Sequence, residues 1–149
     1  MGKFLLILFC ILSSNIASIA QVGRRGELSL YGGANQDVYL GCITCGENDS
    51  ESIWNPTGIY GLKNGATSIW NENGIYGDES SIYSPFNSAA LYPPAVKSGK
   101  VFYGYFTVDK FNRERIESEL FLRIYEEYKE IRKNPKEWYR NFRRNSVYP

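Results

Sequence analysis

Cys42 and Cys45 close the phrase Cys42-Ile43-Thr44-Cys45 between Gly41 and Gly46, and that spacing admits three chemistries. As a disulfide the pair pins a tight turn, and the short loop limits the entropic gain to about 2 kcal/mol, against about 3 for a fifteen-residue loop. As a thiol-disulfide redox site it would need the lowered thiol pKa that a helix N-terminus supplies. The residues that follow, Gly46-Glu47-Asn48-Asp49, are acidic and turn-forming, which works in the opposite direction. As a metal site the pair offers two of the four ligands zinc prefers, in a chain with no histidine and no second CxxC. The leading reading is the structural disulfide, the default for an even pair of thiols outside the cytoplasm.

Other residue types lead to less chemistry. Glu47 with Asp49 and Asp78 with Glu79 are carboxylate pairs of the kind a glycosidase uses, but they sit in turn-like segments rich in Ser, Asn and Gly and read as solvated surface. Without histidine there is no Ser-His-Asp or Cys-His arrangement. No phosphate-binding loop, nucleophile elbow or dinucleotide fingerprint occurs either. The sequence therefore points to a non-enzymatic protein with no cofactor.

Aromatic residues supply the remaining candidates. Residues 52–61 read SIWNPTGIYG and residues 68–77 read SIWNENGIYG, identical at eight of ten positions, and residues 84–93 echo them as SPFNSAALYP after a further sixteen residues. A unit of this size cannot bury its own aromatic face, so the copies must stack on one another or on neighbouring strands. Trp54, Trp70 and Phe86 are read as equivalent core anchors. The alternative is a row of exposed rings, Trp54, Tyr60, Trp70 and Tyr76, that stacks on sugar or peptide. Asn55-Pro56-Thr57-Gly58 has the residue preferences of a type I turn, so each unit is expected to be a very short hairpin or a single helical turn capped by Ser52 or Ser68. The third copy reads as a worn unit closing the array.

The elements that must hold these residues follow from composition. Residues 1–20 carry Lys3, an apolar run over 4–12 and small residues at Ser18 and Ala20, the layout of a secretory signal peptide cut before Gln21. The apolar run is too short to span a membrane, and Phe9 before Cys10 argues against a lipoprotein site. Without Lys3 the chain has 16 basic and 16 acidic residues. From 27 to 96 eight acidic residues face Lys63 alone, a balance of minus seven, and from 97 onward 13 basic residues face eight acidic ones, a balance of plus five. So acidic a repeat region is a poor partner for nucleic acid. Residues 27–31 and 37–43 predict a first hairpin, and 101–108 (VFYGYFTV) a central strand covered on both faces, with Gly104 marking a bulge or a close backbone approach. Ile116, Leu120, Ile124, Tyr128 and Ile131 recur at helical spacing. Asn134-Pro135-Lys136-Glu137 then breaks and restarts the helix. The second helix interleaves Trp138, Tyr139 and Phe142 with Lys136, Arg140, Arg143 and Arg144, a pattern that either covers the sheet or meets a membrane surface or acidic partner.

The order YGG, DVYLGCITCG, SIWN with GIYG, SPFN and FYGYFTVDK resembles a group of uncharacterised exported bacterial proteins over residues 30–110. The resemblance implies export and repeats and implies no activity; the weakened third copy and the helical tail depart from it. The expected protein is α+β: signal peptide 1–20, a β/turn-rich repeat domain 21–110 with a small, mostly antiparallel sheet and sixteen-residue repeats, and a C-terminal helical segment 111–149 packed on or extending from it. The expected function is a non-catalytic exported structural or binding module, periplasmic, envelope-associated or secreted, whose partner is an unknown protein or glycan. The alternatives are the CxxC redox protein and a glycan binder using the repeat aromatics. Trp138, Arg140, Arg143 and Arg144 are the tail's candidate contacts.

Overall fold

A computed structural model describes residues 26–146, so the expected signal peptide and Cys10 lie outside the described residues. The first strands form where apolar and polar residues alternate. β1 (Ser29–Gly32) turns through Gly33 to Gln36 into β2 (Val38–Cys42), the hairpin the sequence predicts, and Ser29 pairs with Cys42. β3 (Ala95–Ser98) then lies on the other side of β1, and β4 (Val101–Tyr105) closes an antiparallel sheet of order β2-β1-β3-β4. Helices α1 (Glu119–Ile131) and α2 (Pro135–Asn145) follow, completing the α+β fold.

Two expectations about the sheet are corrected. The 101–108 strand is an edge, not a centre: it ends at Tyr105, and Val101, Phe102 and Tyr103 are exposed. Its aromatic run mimics a doubly covered strand, but those rings line a face open to water. β3 was hidden behind Pro93-Pro94 in four residues, AVKS, whose last member looks like part of the turn. The reading of Gly104 holds on both counts. The register slips beside it between Val96 and Lys97. Its φ is 137°, and an added Cβ would meet the Glu114 carbonyl oxygen at 2.5 Å, because the chain at 114–116 returns to bond Tyr105.

The repeats are neither hairpins nor helical turns. They are a run of turns joined end to end, closed by an N–H to the carbonyl three residues back at Ser52, Asn55, Gly58, Gly65 and Ser68, then again at Asn71, Gly74, Ser81 and Ser84, and by an N–H to the carbonyl four residues back at Leu62 and Asp78. The sixteen-residue period is thus two three-residue steps, one of four, and two more of three. Corner side chains hold the backbone groups that a helix or sheet would have paired. Ser52, Ser68 and Ser84 each accept the N–H of the following aromatic, Trp54, Trp70 and Phe86, at 3.2 Å. Asn55, Asn71 and Asn87 each donate at 3.0 Å to a carbonyl six residues back, those of Asp49, Gly65 and Ser81. Phe86's copy therefore keeps the Ser and Asn bonds, while Pro93 and Pro94 stand where the earlier copies donate the N–H groups of their closing step, and Tyr92 bonds the Ile82 carbonyl instead.

Inside the array the aromatics form one column. Trp54 and Trp70 are 0% and 1% exposed, with ring centres 5.4 Å apart, and Phe86 lies 6.0 Å beyond Trp70. Trp54 donates its indole N–H to the Ile43 carbonyl and Trp70 to that of Ile53, at 2.7 and 2.6 Å. The core-anchor reading of these three residues is what the structure shows. Ile59, Ile75 and Leu91, at matching positions of the three copies, point outward instead.

Helices cap the column at both ends. The α1 pattern holds, although Ile116 precedes the helix; Phe121, Ile124, Tyr125 and Ile131 join the same buried cluster as the tryptophans. Tyr128 stacks on Phe86 at 4.5 Å. Asn134 caps α2 by accepting the Glu137 N–H at 3.2 Å, with Pro135 at the first helical position, as expected. Tyr139 lies flat on Trp54 at 4.4 Å, with Trp138 beside it at 5.6 Å and Phe142 stacked outside Trp138. The tail covers the end of the repeat array and not the sheet, because Trp54 presents there a ring face on which Tyr139 and Trp138 stack.

Candidate functional site

The uncovered side of the sheet carries the candidate site. Alternation turns Leu30, Leu40 and Val96 inward to the core and sends Tyr31, Tyr39 and Lys97 to the opposite face. Tyr31, Gln36, Asp37, Lys97, Lys100, Phe102 and Tyr105 line an open groove of about 610 Å³ there. The hairpin tip and the far strands are bonded across it. Gln36 donates its side-chain amide N–H to the Tyr105 hydroxyl at 3.0 Å, and its backbone carbonyl accepts from the Lys97 ammonium at 3.1 Å. That ammonium also stands 5.0 Å over the Tyr31 ring. Gln36 holds φ of 53°, the left-handed region that a residue without special side-chain help rarely occupies. Such conformations persist where surrounding contacts over-determine them, here a turn bond from Gln36 N–H to the Gly33 carbonyl and the two cross-groove bonds.

The aromatic surface runs on from the groove. Tyr31, Tyr39 and Tyr60 meet edge to face at 5.4 and 5.0 Å, and Phe102 meets Tyr105 at 5.1 Å. Tyr39 donates to Glu51 at 3.2 Å. Burial first, and then the Glu51 charge, raises the Tyr31 phenol above its ordinary range. Burial is also the main cause that raises Tyr39. Both therefore stay neutral donors at physiological pH.

Residues singled out from the sequence fall elsewhere. Trp54, Trp70, Tyr60 and Tyr76 are buried, so none offers a free ring face to a sugar. Cys42 and Cys45 form a disulfide with Cα atoms 5.5 Å apart, and both residues are buried. The turn at Gly46 to Asp49 follows them, with no helix, which leaves the redox alternative without an approachable sulfur or a helix N-terminus. Glu27 joins the two cysteines in the one trio of metal-ligating side chains among the described residues, with ligand atoms within 4.8 Å of one another. Both sulfurs are engaged in the disulfide, and three donors fall short of a structural zinc site.

Tail residues are mostly structural. Arg140 and Arg143 reach Glu47 at 3.5 and 3.7 Å, tying α2 to the turn after the disulfide. Tyr139 donates to the Thr44 carbonyl at 3.2 Å, and half-buried Trp138 to Glu127 at 2.6 Å. Arg144 remains exposed. The carboxylate pairs are also divided: Glu79 meets Arg132 and Lys129, whereas Asp78 accepts from Ser80.

Sequence reasoning missed the groove because its parts lie at 31, 36–37, 97–105, and only strand pairing brings them together. The one available signal was alternation, which places Tyr31 and Tyr39 on the same side. No helix among the described residues is long and apolar enough to cross a membrane. Comparison of the chain with protein-family models, curated proteins and solved structures finds no match, so the geometry carries the functional reading.

Proposed function

We propose that this chain is a non-catalytic exported module that binds a partner through the open aromatic face of its sheet, with the turn array and helices as scaffold. The observation that carries this reading is the groove's construction: Gln36, Lys97 and Tyr105 converge from three parts of the chain and are bonded across the groove rather than buried beneath it. Concave, aromatic-lined surfaces with a few fixed polar groups are the usual form of a binding site. Export is supported by the layout of residues 1–20 and by the Cys42–Cys45 disulfide, which persists in oxidising compartments. The polar pairs at Glu47 and Glu79 support a scaffold role, since the first joins α2 to the turn after the disulfide and the second joins α1 and the residue after it to the array.

The test is a screen of the purified, exported chain on glycan and peptide arrays beside the Phe102→Ala variant. Retention of an unaltered ligand that is weakened by the substitution supports the reading. Consumption of a substrate by pure protein, abolished by a single substitution away from the sheet face, overturns it.

A further inference from the structure

We infer that the sheet-face groove takes a carboxylate-bearing saccharide, a glycan chain containing uronic acid units. This deepens the proposed function and rests on it. The groove's walls are flat: Tyr31, Phe102 and Tyr105 present ring surface, and Phe102 is exposed at the strand edge. Flat aromatic surface suits the C–H faces of a pyranose ring, and the polar groups set beside it are mixed in kind. The Gln36 amide, the Tyr105 hydroxyl, the Asp37 carboxylate and the two ammonium groups provide donors and acceptors side by side, which sugar hydroxyls need because each can give and receive.

Charge decides between a neutral and an acidic sugar. Lys97 and Lys100 both line the groove against Asp37 alone, and neither makes an ion pair among the described residues. Lys97 commits one N–H to the Gln36 carbonyl and retains two. Within the groove's lining the two ammonium groups outnumber the single carboxylate, so the groove is cationic by one charge. That excess favours a sugar carboxylate, which gains charge-assisted hydrogen bonds there. The groove is also preformed: the bonds from Gln36 fix the tip against β3 and β4 before any ligand arrives, lowering the ordering cost of binding.

The experiment is titration calorimetry on the whole exported chain with oligogalacturonate, alginate oligomers and hyaluronan oligomers. The controls are the methyl-esterified oligogalacturonate and a poly-glutamate peptide of equal charge. The expected result is binding of at least one acidic oligosaccharide about tenfold tighter than its neutral ester, weakening as salt rises. Lys100→Gln, at an exposed position without a partner, and Phe102→Ala should each weaken it by about tenfold with an unchanged thermal midpoint. Equal binding of the ester overturns the acidic assignment while leaving the sheet face as the recognition surface. Equal binding of poly-glutamate overturns the glycan assignment. Saccharide binding that survives both substitutions removes the groove, and with it the proposed face. If no uronate oligomer binds, the inference falls, and the array screen with Phe102→Ala decides separately whether the face binds anything else.

Discussion

Trp70 does two jobs, filling the centre of the column and giving its indole N–H to the buried Ile53 carbonyl at 2.6 Å. Trp70→Phe keeps most of the ring and removes the donor, and should destabilise by about 1–3 kcal/mol, the range for a buried acceptor left alone. Trp70→Ala should cost about 3–5 kcal/mol through the cavity it opens, and urea unfolding of both variants separates the two contributions. Arg132 is the other residue on which much converges. It is buried, donates to the Gly77 carbonyl and to Glu79, and lies over the Phe86 and Tyr128 rings at 4.7 and 5.1 Å. Arg132→Met retains the packing stem and loses the donors, so a loss of about 1.5–3 kcal/mol in the same measurement is expected. At this scale the sequence was legible where bulk decides, since tryptophan at a fixed spacing announces a core. It was opaque where small polar side chains decide. Ser52 and Asn55 read as turn formers, but nothing in their types reveals that one accepts from Trp54 and the other reaches back to Asp49.

Among elements, the disulfide loop is a local fastening. Cys42 also takes part in the backbone bridge to Ser52, and its neighbour Ile43 accepts from Trp54. Replacing both cysteines by serine should lower stability by about 2 kcal/mol without changing the fold, checked by chemical denaturation and near-ultraviolet circular dichroism. Gly104→Ala is a harsher change, because it combines an unfavourable φ with collision against the Glu114 carbonyl. It should detach the 106–116 return from β4, seen as lost hydrogen-exchange protection at Tyr105 and Ile116. The β1–β2 hairpin and both helices were readable because their patterns repeat with periods of two and near four. The edge placement of β4 was not, since an aromatic-rich strand looks the same whether its rings meet a second layer or water. The turn array was harder still: steps of three broken by one of four match neither regular period.

For the molecule as a whole, acid acts on the joints between helices and array. The Glu47 carboxyl is lowered from its ordinary value by its own backbone hydrogen bond and, beyond that, by Arg140 and Arg143, against the opposing effect of burial. At Glu79 burial pushes upward, but hydrogen bonds from Tyr128 and Lys129 and the charges of Lys129 and Arg132 outweigh it, leaving the carboxyl lowered. A carboxyl with a lowered folded-state pKa binds fewer protons folded than unfolded. Its contribution is therefore complete above the ordinary glutamate value of 4.5 and is lost as pH falls through the folded value. Unfolding free energy should be flat near neutrality and drop below that point, and the Glu47→Gln, Glu79→Gln double variant should show a shallower drop.

The two helices also act as a ruler. Tyr139 sits on Trp54 while Tyr128 and Arg132 sit on Phe86, so one helical hairpin touches the first and last rungs of the aromatic column. Within the array each unit builds on its predecessor, as Trp70 stacks on Trp54 and bonds the Ile53 carbonyl, and that stacking by itself would tolerate a fourth cassette as readily as a third. Splicing in another sixteen residues would lengthen the column while the hairpin kept its span, leaving one end bare. Copy number in this molecule is therefore gauged by the tail, and any lineage that gained a rung would have had to lengthen α1 or surrender one of its two clasps.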